Sequence, residues 1–229
     1  MRNTMRPLVA EAVGTFFLVF CGVATIVSDL YRAQTIGFVG VALAHGVALA
    51  VAITATVGIS GGQLNLAVTL GLLSIGRITP SRAGMYIVAQ LVGALVAVLA
   101  IKGLYPEQAA NIASFGTPRL ANDVSFVQGI VIEAILTFLL CSAVMGTIVN
   151  PRSAQVGGFG VGLIVFVCIL AGGHLTGAMM NPARAMGPMI VALDFGGLAI
   201  YWIGPVLGAV VAMQLWERVL LPKPGDVDG

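Results

Sequence analysis

Two short polar segments interrupt otherwise apolar sequence: Gly61-Gly62-Gln63-Leu64-Asn65-Leu66-Ala67-Val68 and Thr176-Gly177-Ala178-Met179-Met180-Asn181-Pro182-Ala183-Arg184. Each brings a small glycine-bearing loop to an asparagine, and each asparagine precedes a short apolar run. Asparagine is a favoured helix N-cap, because its carbonyl accepts from free backbone N–H groups of the first turn; capping fixes the side chain and leaves its NH2 free. Two such amides, meeting from two helix N-termini with their partial positive charge, would turn the oxygen of a water toward themselves and oppose a cation or a proton. Arg184 adds a permanent charge and up to five donors. Inside apolar surroundings that charge is costly unless it faces a polar cavity.

The surroundings are those of a bilayer. The 229 residues are 59% hydrophobic and 9% charged, with a mean hydropathy of +1.03, whereas a soluble domain carries roughly 25% charged residues. A net charge of +2 gives no argument for nucleic acid or an acidic partner. Cys21, Cys141 and Cys168 lie in apolar stretches without paired spacing, which indicates neither a disulfide framework nor a metal site and reads as buried thiols. Arg2 and Arg6 before an apolar run mimic a signal peptide, but Glu11 interrupts the run and no small-residue cleavage site ends it, so a retained first span is expected.

Long apolar runs cover about 7–28, 36–57, 82–104, 125–149, 157–173 and 197–221. A hydrocarbon core of about 30 Å asks for roughly 20 helical residues, so these are spans, and the pieces at about 66–76 and 182–192 are too short to be more than half-helices. The expected fold class is an all-α membrane protein of six transmembrane helices plus two re-entrant half-helices, in a single domain over 1–229. The order span, span, half-helix, span occurs twice, over about 7–104 and about 125–221. Glu11-Ala12-Val13-Gly14-Thr15-Phe16-Phe17 recurs as Glu133-Ala134-Ile135-Leu136-Thr137-Phe138-Leu139, and Gln90-Leu91-Val92-Gly93-Ala94 answers Pro205-Val206-Leu207-Gly208-Ala209. Three spans per copy is an odd number, which makes the second copy enter from the opposite face: an inverted repeat. Lipid tolerates irregular backbone only where it is buried or lines a polar cavity, so the repeated interruption marks the place where something crosses. Cytoplasmic termini gather Arg2, Arg6, Arg77, Arg82, Arg152, Arg218 and Lys223 on the inner side and leave Arg32, Lys102 and Arg119 outside, as the positive-inside rule favours. Glycines such as Gly46, Gly93, Gly162 and Gly208 inside the spans are expected to let helix backbones approach.

On these residues the chain resembles, across essentially its whole length, the major intrinsic protein family of aquaporins and glycerol facilitators. Met180-Asn181-Pro182-Ala183-Arg184 matches the family's Asn-Pro-Ala-Arg motif in full; Asn65-Leu66-Ala67 has Leu where the family usually has Pro. Ser60-Gly61-Gly62 and Val68-Thr69 also match, and Gln63 stands where His is common. The resemblance implies a central constriction built by Asn65, Leu66, Ala67, Asn181, Pro182 and Ala183. It also implies an outer selectivity filter, here His45, Ile169, Ala178 and Arg184. Strict water channels resemble Phe, His, a small residue and Arg at those places, and glycerol facilitators pair two aromatics with Arg. This combination is similar to the plant tonoplast intrinsic group, as is Leu170-Ala171-Gly172-Gly173. Ile169 in place of His removes a polar contact, so a wider and more apolar ring is expected. By the same resemblance, Glu11 and Glu133 are structural carboxylates that accept hydrogen bonds from the re-entrant loops, in preference to a proton relay; a buried Glu needs such partners. His174 is expected at the outer mouth, either as a solvated loop residue or beside Arg184 in a vestibule where its protonation alters conductance. Met179 and Met180 are expected to pack.

The function implied is a passive channel for water, closed to protons and ions, with ammonia, hydrogen peroxide, urea and glycerol as candidate further cargo. No catalysis, cofactor, metal or nucleic acid is implied, and the expected assembly in lipid is a homotetramer with a pore in each subunit. An ion-coupled secondary transporter also uses inverted repeats and broken helices, but the spans hold no acidic pair beyond Glu11 and Glu133. A purely adhesive membrane protein would need neither Arg184 nor two facing asparagines. Short tails and tight loops favour a microbial cell membrane with both termini cytoplasmic, a vacuolar membrane remaining open. Leu66 restores an N–H that proline lacks and loosens the first turn, at about 1 kcal/mol.

Overall fold

The computed structural model describes residues 2–154 and 156–222, with side chains from residue 5 onward; Lys223, the side chain of Arg2 and the ends of the expected 1–229 domain lie outside the described residues. In chain order the helices are α1 (Arg2–Tyr31), α2 (Gly37–Ser60), α3 (Leu66–Ser74), α4 (Pro80–Leu104), α5 (Glu107–Ile112), α6 (Phe126–Val144), α7 (Phe159–Thr176), α8 (Pro182–Ala192) and α9 (Leu198–Leu215). π-helical turns at Met145–Val149 and Trp216–Leu220 prolong α6 and α9. Helices α1, α2, α4, α6, α7 and α9 are long and apolar enough to cross a membrane. Helices α3 and α8 are the two half-helices, and both start immediately after their asparagine.

Local signals set the ends. Gly61 and Gly177, with φ of 90° and 85°, close α2 and α7 in the left-handed region that glycine reaches without strain. Thr79 caps α4 ahead of Pro80, and Ser125 with Gln128 forms a capping box at the start of α6.

Packing follows the inverted repeat. Helix α1 packs on α2 and α4, as α6 packs on α7 and α9; α2 and α7 pack on each other. Each half-helix leans chiefly on the last span of the other copy, α3 on α9 and α8 on α4, which interlocks the copies. The crossings are tight where the sequence has glycine. A Cβ on Gly93 would overlap the Ala12 carbonyl, and one on Gly208 the Ala134 carbonyl at the matched crossing; Gly46 and Gly162 meet each other's carbonyls between α2 and α7. With no hydrophobic drive between helix and lipid, this close backbone approach supplies the van der Waals contact that holds the bundle. The outward faces are apolar instead of polar: Val39, Leu43, Val47 and Val51 are exposed at every fourth position of α2.

The connection between α4 and α6 corrects the expectation of tight loops. It holds α5 and a 3-10 turn at Ser114–Gly116. Ala109, Ala110 and Phe115 are buried there in one cluster with Val19, Val23 and Val27 of α1.

Candidate functional site

The tips of α3 and α8 meet. Asn65, extended at φ −151° and ψ 122°, accepts through Oδ1 from the N–H groups of Ala67 (2.8 Å) and Val68 (3.4 Å). Asn181, at φ −151° and ψ 105°, accepts from Ala183 (3.0 Å) and Arg184 (3.4 Å). The amide nitrogens then cross between copies: Asn65 Nδ2 donates to the Met180 carbonyl and Asn181 Nδ2 to the Leu64 carbonyl, each at 2.9 Å. The expectation of a free NH2 on each asparagine is corrected by this crossing. One N–H of each amide ties the tips together, and the other remains for a passing acceptor.

Each loop hangs from one buried carboxylate on the first span of its copy. Glu11 Oε1 accepts from the Ser60 hydroxyl (2.6 Å) and the Gln63 N–H (3.0 Å), and Oε2 from the Leu64 N–H (2.7 Å) and the Gln90 amide (2.8 Å). Glu133 Oε1 accepts from the Thr176 hydroxyl (2.6 Å) and the Met179 N–H (2.9 Å), and Oε2 from the Met180 N–H (2.7 Å). Tyr86 and Tyr201 donate to the Ser60 and Thr176 carbonyls at 3.0 and 2.8 Å, completing the correspondence. Buried charge is tolerated here because several donors and no acceptors surround it. Both carboxylates pull their loops through a left-handed residue just before the asparagine, Leu64 at φ 49° and Met180 at φ 52°.

Two cavities follow one another along this side of the tips, the inner one at the crossing. The inner one, of about 60 Å³, is walled by Asn65, Asn181, Gly61, Gly62 and Gln63 against apolar side chains such as Leu49, Ile53, Leu140 and Val161. The outer one, of about 480 Å³, is lined among others by Asp29, Thr117, Arg119, Ile169 and His174. His45, Met179 and Arg184 line both and so form the neck between them. Arg184 is held in the neck by Nη1, which donates to the carbonyls of Ala178 (3.0 Å) and Met179 (3.2 Å). The Met179 N–H goes to Glu133, so carboxylate and guanidinium grip the same loop from its two sides. The His45 Nδ1 lies 2.8 Å from the Val41 carbonyl. A carbonyl only accepts, so Nδ1 carries the proton. Nε2 is then an acceptor in the neutral ring, and it has no protein partner among the described residues.

Several expected site residues are placed differently. Leu66, Ala67, Pro182 and Ala183 are buried but absent from the walls of both cavities. The N-cap side chain turns to the cavity and the two residues after it turn back into the protein, so Asn65 and Asn181 line the inner cavity, with Val68 and Met180 beside them. Ala178 is likewise fully buried and absent from the walls, and acts through the carbonyl that holds Arg184. Met179 and Met180 are buried in the core clusters, as expected of packing residues, and they also border the cavities, Met179 at the neck. His174 lies in the last turn of α7, not in a loop, stacked on Phe38 with ring centroids 3.9 Å apart, and it lines the outer cavity with Arg184. Thr117 and Asp29 carry no sequence signal that separates them from ordinary loop and helix-end residues.

The comparisons agree with this geometry. Residues 1–216 match the major intrinsic protein family. Among curated relatives, Aquaporin TIP4-4 of Zea mays is 39% identical, with 96% of this chain and 89% of the relative covered. Probable aquaporin TIP3-2 of Arabidopsis thaliana is 39% identical, with 98% and 87% covered. Among solved structures, the aquaglyceroporin from Plasmodium falciparum superposes with a TM-score of 0.83 at 25% identity, covering 95% of this chain and 97% of that one. The chain belongs to the major intrinsic protein family.

Proposed function

We propose that this chain is a passive membrane channel that conducts water in single file and passes small neutral solutes beside it, with ammonia, hydrogen peroxide, urea and glycerol as the candidate solutes. The observation that carries this reading is the reciprocal crossing of Asn65 and Asn181 at the wall of a narrow cavity. A water at the crossing can give its oxygen to the remaining N–H of each amide. Its hydrogens then point away along the channel, toward the two halves of the file. The N-termini of α3 and α8 both face that point, and their partial positive charge opposes a cation or a hydrated proton. Farther out, Arg184 with its unspent Nε and Nη2 is the polar side of the filter and Ile169 is the apolar side; His45 also lines the neck, with its Nε2 buried against Gly22 of α1. An apolar wall discriminates weakly among small neutral molecules, which supports the wider solute range.

The relatives' and neighbour's names, aquaporin and aquaglyceroporin, support the same class. Ion coupling has no support: Glu11 and Glu133, the carboxylates deep in the first and fourth spans, are engaged by loop donors. We read the assembly as a homotetramer with a pore in each subunit, both termini cytoplasmic, in the cell membrane. Stopped-flow light scattering on proteoliposomes tests the function. Fast osmotic shrinkage with a low activation energy, insensitive to ion gradients, is expected. Shrinkage no faster than that of empty vesicles, or solute uptake that saturates and follows an ion gradient, refutes it.

A further inference from the structure

The methionines of this chain meet different surroundings. Met145, Met189 and Met213 are fully buried and absent from the walls of both cavities. Met180 borders the inner cavity alone, whereas Met179 lines both, at the neck it shares with Arg184. The end of the Met179 side chain stays near that space: its Cε would lie 3.3 Å from a Cβ on Gly177, and Gly177 and the neighbouring Pro118 line the outer cavity. On its other side Met179 packs with Met189, Ile200 and Tyr201. Arg184 Nη1 donates to the Met179 carbonyl at 3.2 Å, so a thioether and a guanidinium stand side by side at the narrowest polar place. The loop does not demand an apolar residue there, because the matched position of the first copy is Gln63. What methionine adds is a polarizable sulfur that takes up oxygen from peroxides.

We propose that Met179 is a modification site: hydrogen peroxide passing the neck converts its thioether to the sulfoxide, and the sulfoxide throttles the channel. A sulfur lone pair attacks one peroxide oxygen, the O–O bond breaks, and the proton of the attacked oxygen goes to the departing one. Sulfur is oxidised by two electrons, the peroxide is reduced, and water leaves. The unspent N–H groups of Arg184 are the donors that the neck offers to the departing oxygen. The sulfoxide oxygen finds no donor in the apolar cluster behind it, where the Tyr201 hydroxyl is already given to the Thr176 carbonyl, and burying it there unpaired is costly. It therefore turns to the neck and accepts from Arg184, which narrows the passage and occupies donors that passing water uses. The proposal rests on the channel reading above, with hydrogen peroxide among the cargo.

The test uses proteoliposomes of wild type and of Met179→Leu, which keeps the apolar bulk without the sulfur. Both are exposed to hydrogen peroxide and followed by peptide mass spectrometry and stopped-flow shrinkage. In wild type, Met179 is expected to gain oxygen at least roughly tenfold faster than Met145, Met189 and Met213. Water permeability should fall roughly three- to tenfold over the same time course, as each passing water must displace a hydrogen bond to a charged group. Met179→Leu should keep its own untreated permeability under peroxide. Oxidation of Met179 no faster than that of the three buried methionines, or an equal loss of flux in Met179→Leu, overturns the proposal. Should Met179→Leu fail to assemble, wild type alone decides: flux that falls in step with Met179 oxidation supports the proposal, and flux that falls ahead of it or not at all counts against it. Untreated wild-type vesicles that shrink no faster than empty ones refute the channel reading instead, and the order in which the methionines are oxidised still decides whether peroxide attacks at the neck.

Discussion

Replacing Glu133 by Gln removes one charge and almost no volume, so it asks directly what the buried carboxylate does. Glu133 receives the Thr176 hydroxyl at 2.6 Å and the N–H groups of Met179 and Met180 at 2.9 and 2.7 Å. A glutamine turned one way sets its NH2 against the Met180 N–H. Turned the other way it lets the Thr176 hydroxyl accept but abandons the Met179 N–H. In either orientation one buried N–H loses a charge-assisted bond of about 1.5–3 kcal/mol and is left unsatisfied, at about 1–3 kcal/mol more, so the second loop is destabilised by about 3–5 kcal/mol. The Met180 carbonyl receives the Asn65 amide and the Met179 carbonyl holds Arg184, which carries the loss to the crossing and to the neck. At about 2–4 °C per kcal/mol for a chain of this size, the melting temperature in detergent should fall by roughly 10 °C. Water permeability per molecule should fall about tenfold or more, since that free energy far exceeds the 1.4 kcal/mol of a tenfold shift in loop population. Tryptophan fluorescence on heating and stopped-flow shrinkage of proteoliposomes read the two effects. A Glu133→Gln protein that melts and conducts like wild type would refute the loop-holding role.

Arg184→Ala removes a unit charge from the neck; for a cation passing at an assumed ~5 Å in an effective dielectric of about 20, this lowers the barrier by ~3 kcal/mol, roughly a hundredfold in rate. Proton and cation leak should rise toward that factor with water flux changed only a few-fold, and an unchanged leak in a pH-dye vesicle assay contradicts the filter assignment. Ile169→His returns a polar contact to the apolar side of the outer cavity and should lower urea and glycerol permeability relative to water; an unchanged ratio would place Ile169 outside the filter. Gly208→Ala puts a methyl group into the Ala134 carbonyl and should destabilise by about 1–3 kcal/mol, whereas Gly84→Ala, which meets nothing within 4 Å, should not lower the melting temperature. Leu66→Pro should leave permeability within a few-fold, because the Leu66 side chain is off the cavity wall; abolished flux would show that this loop needs leucine.

The spans and half-helices are legible in the sequence because apolar run length is what a bilayer selects, and the asparagine caps are legible because an N-cap is a local signal. The pairing of the two copies follows from the matched Glu11 and Glu133 segments. What escapes is whatever depends on where a backbone turn aims a side chain. Met179 and Met180 read as packing residues and do pack, but the left-handed turn at Met180 and the pull of Glu133 on the loop also bring them to the cavity wall, which their residue type does not announce. Leu66, Ala67, Pro182 and Ala183 travel with the motif but not with the lumen, since successive residues at a helix start point in different directions. The crossing of the amides is a contact between copies, which one copy's sequence does not specify. Helix α5 and the neighbouring turn are too short for a periodic pattern to emerge, and their shape follows from packing against α1.

If the inner cavity of about 60 Å³ is a single file, it holds about four to six waters at 10–15 Å³ of such space each. Molecules that cannot pass one another move together, so the ratio of osmotic to diffusive water permeability equals the number in the file. Measured on the same proteoliposomes by shrinkage and by isotopic water exchange, that ratio should be at least about four by the same volume argument. A ratio near one would mean that waters cross independently and that no file runs past Asn65 and Asn181.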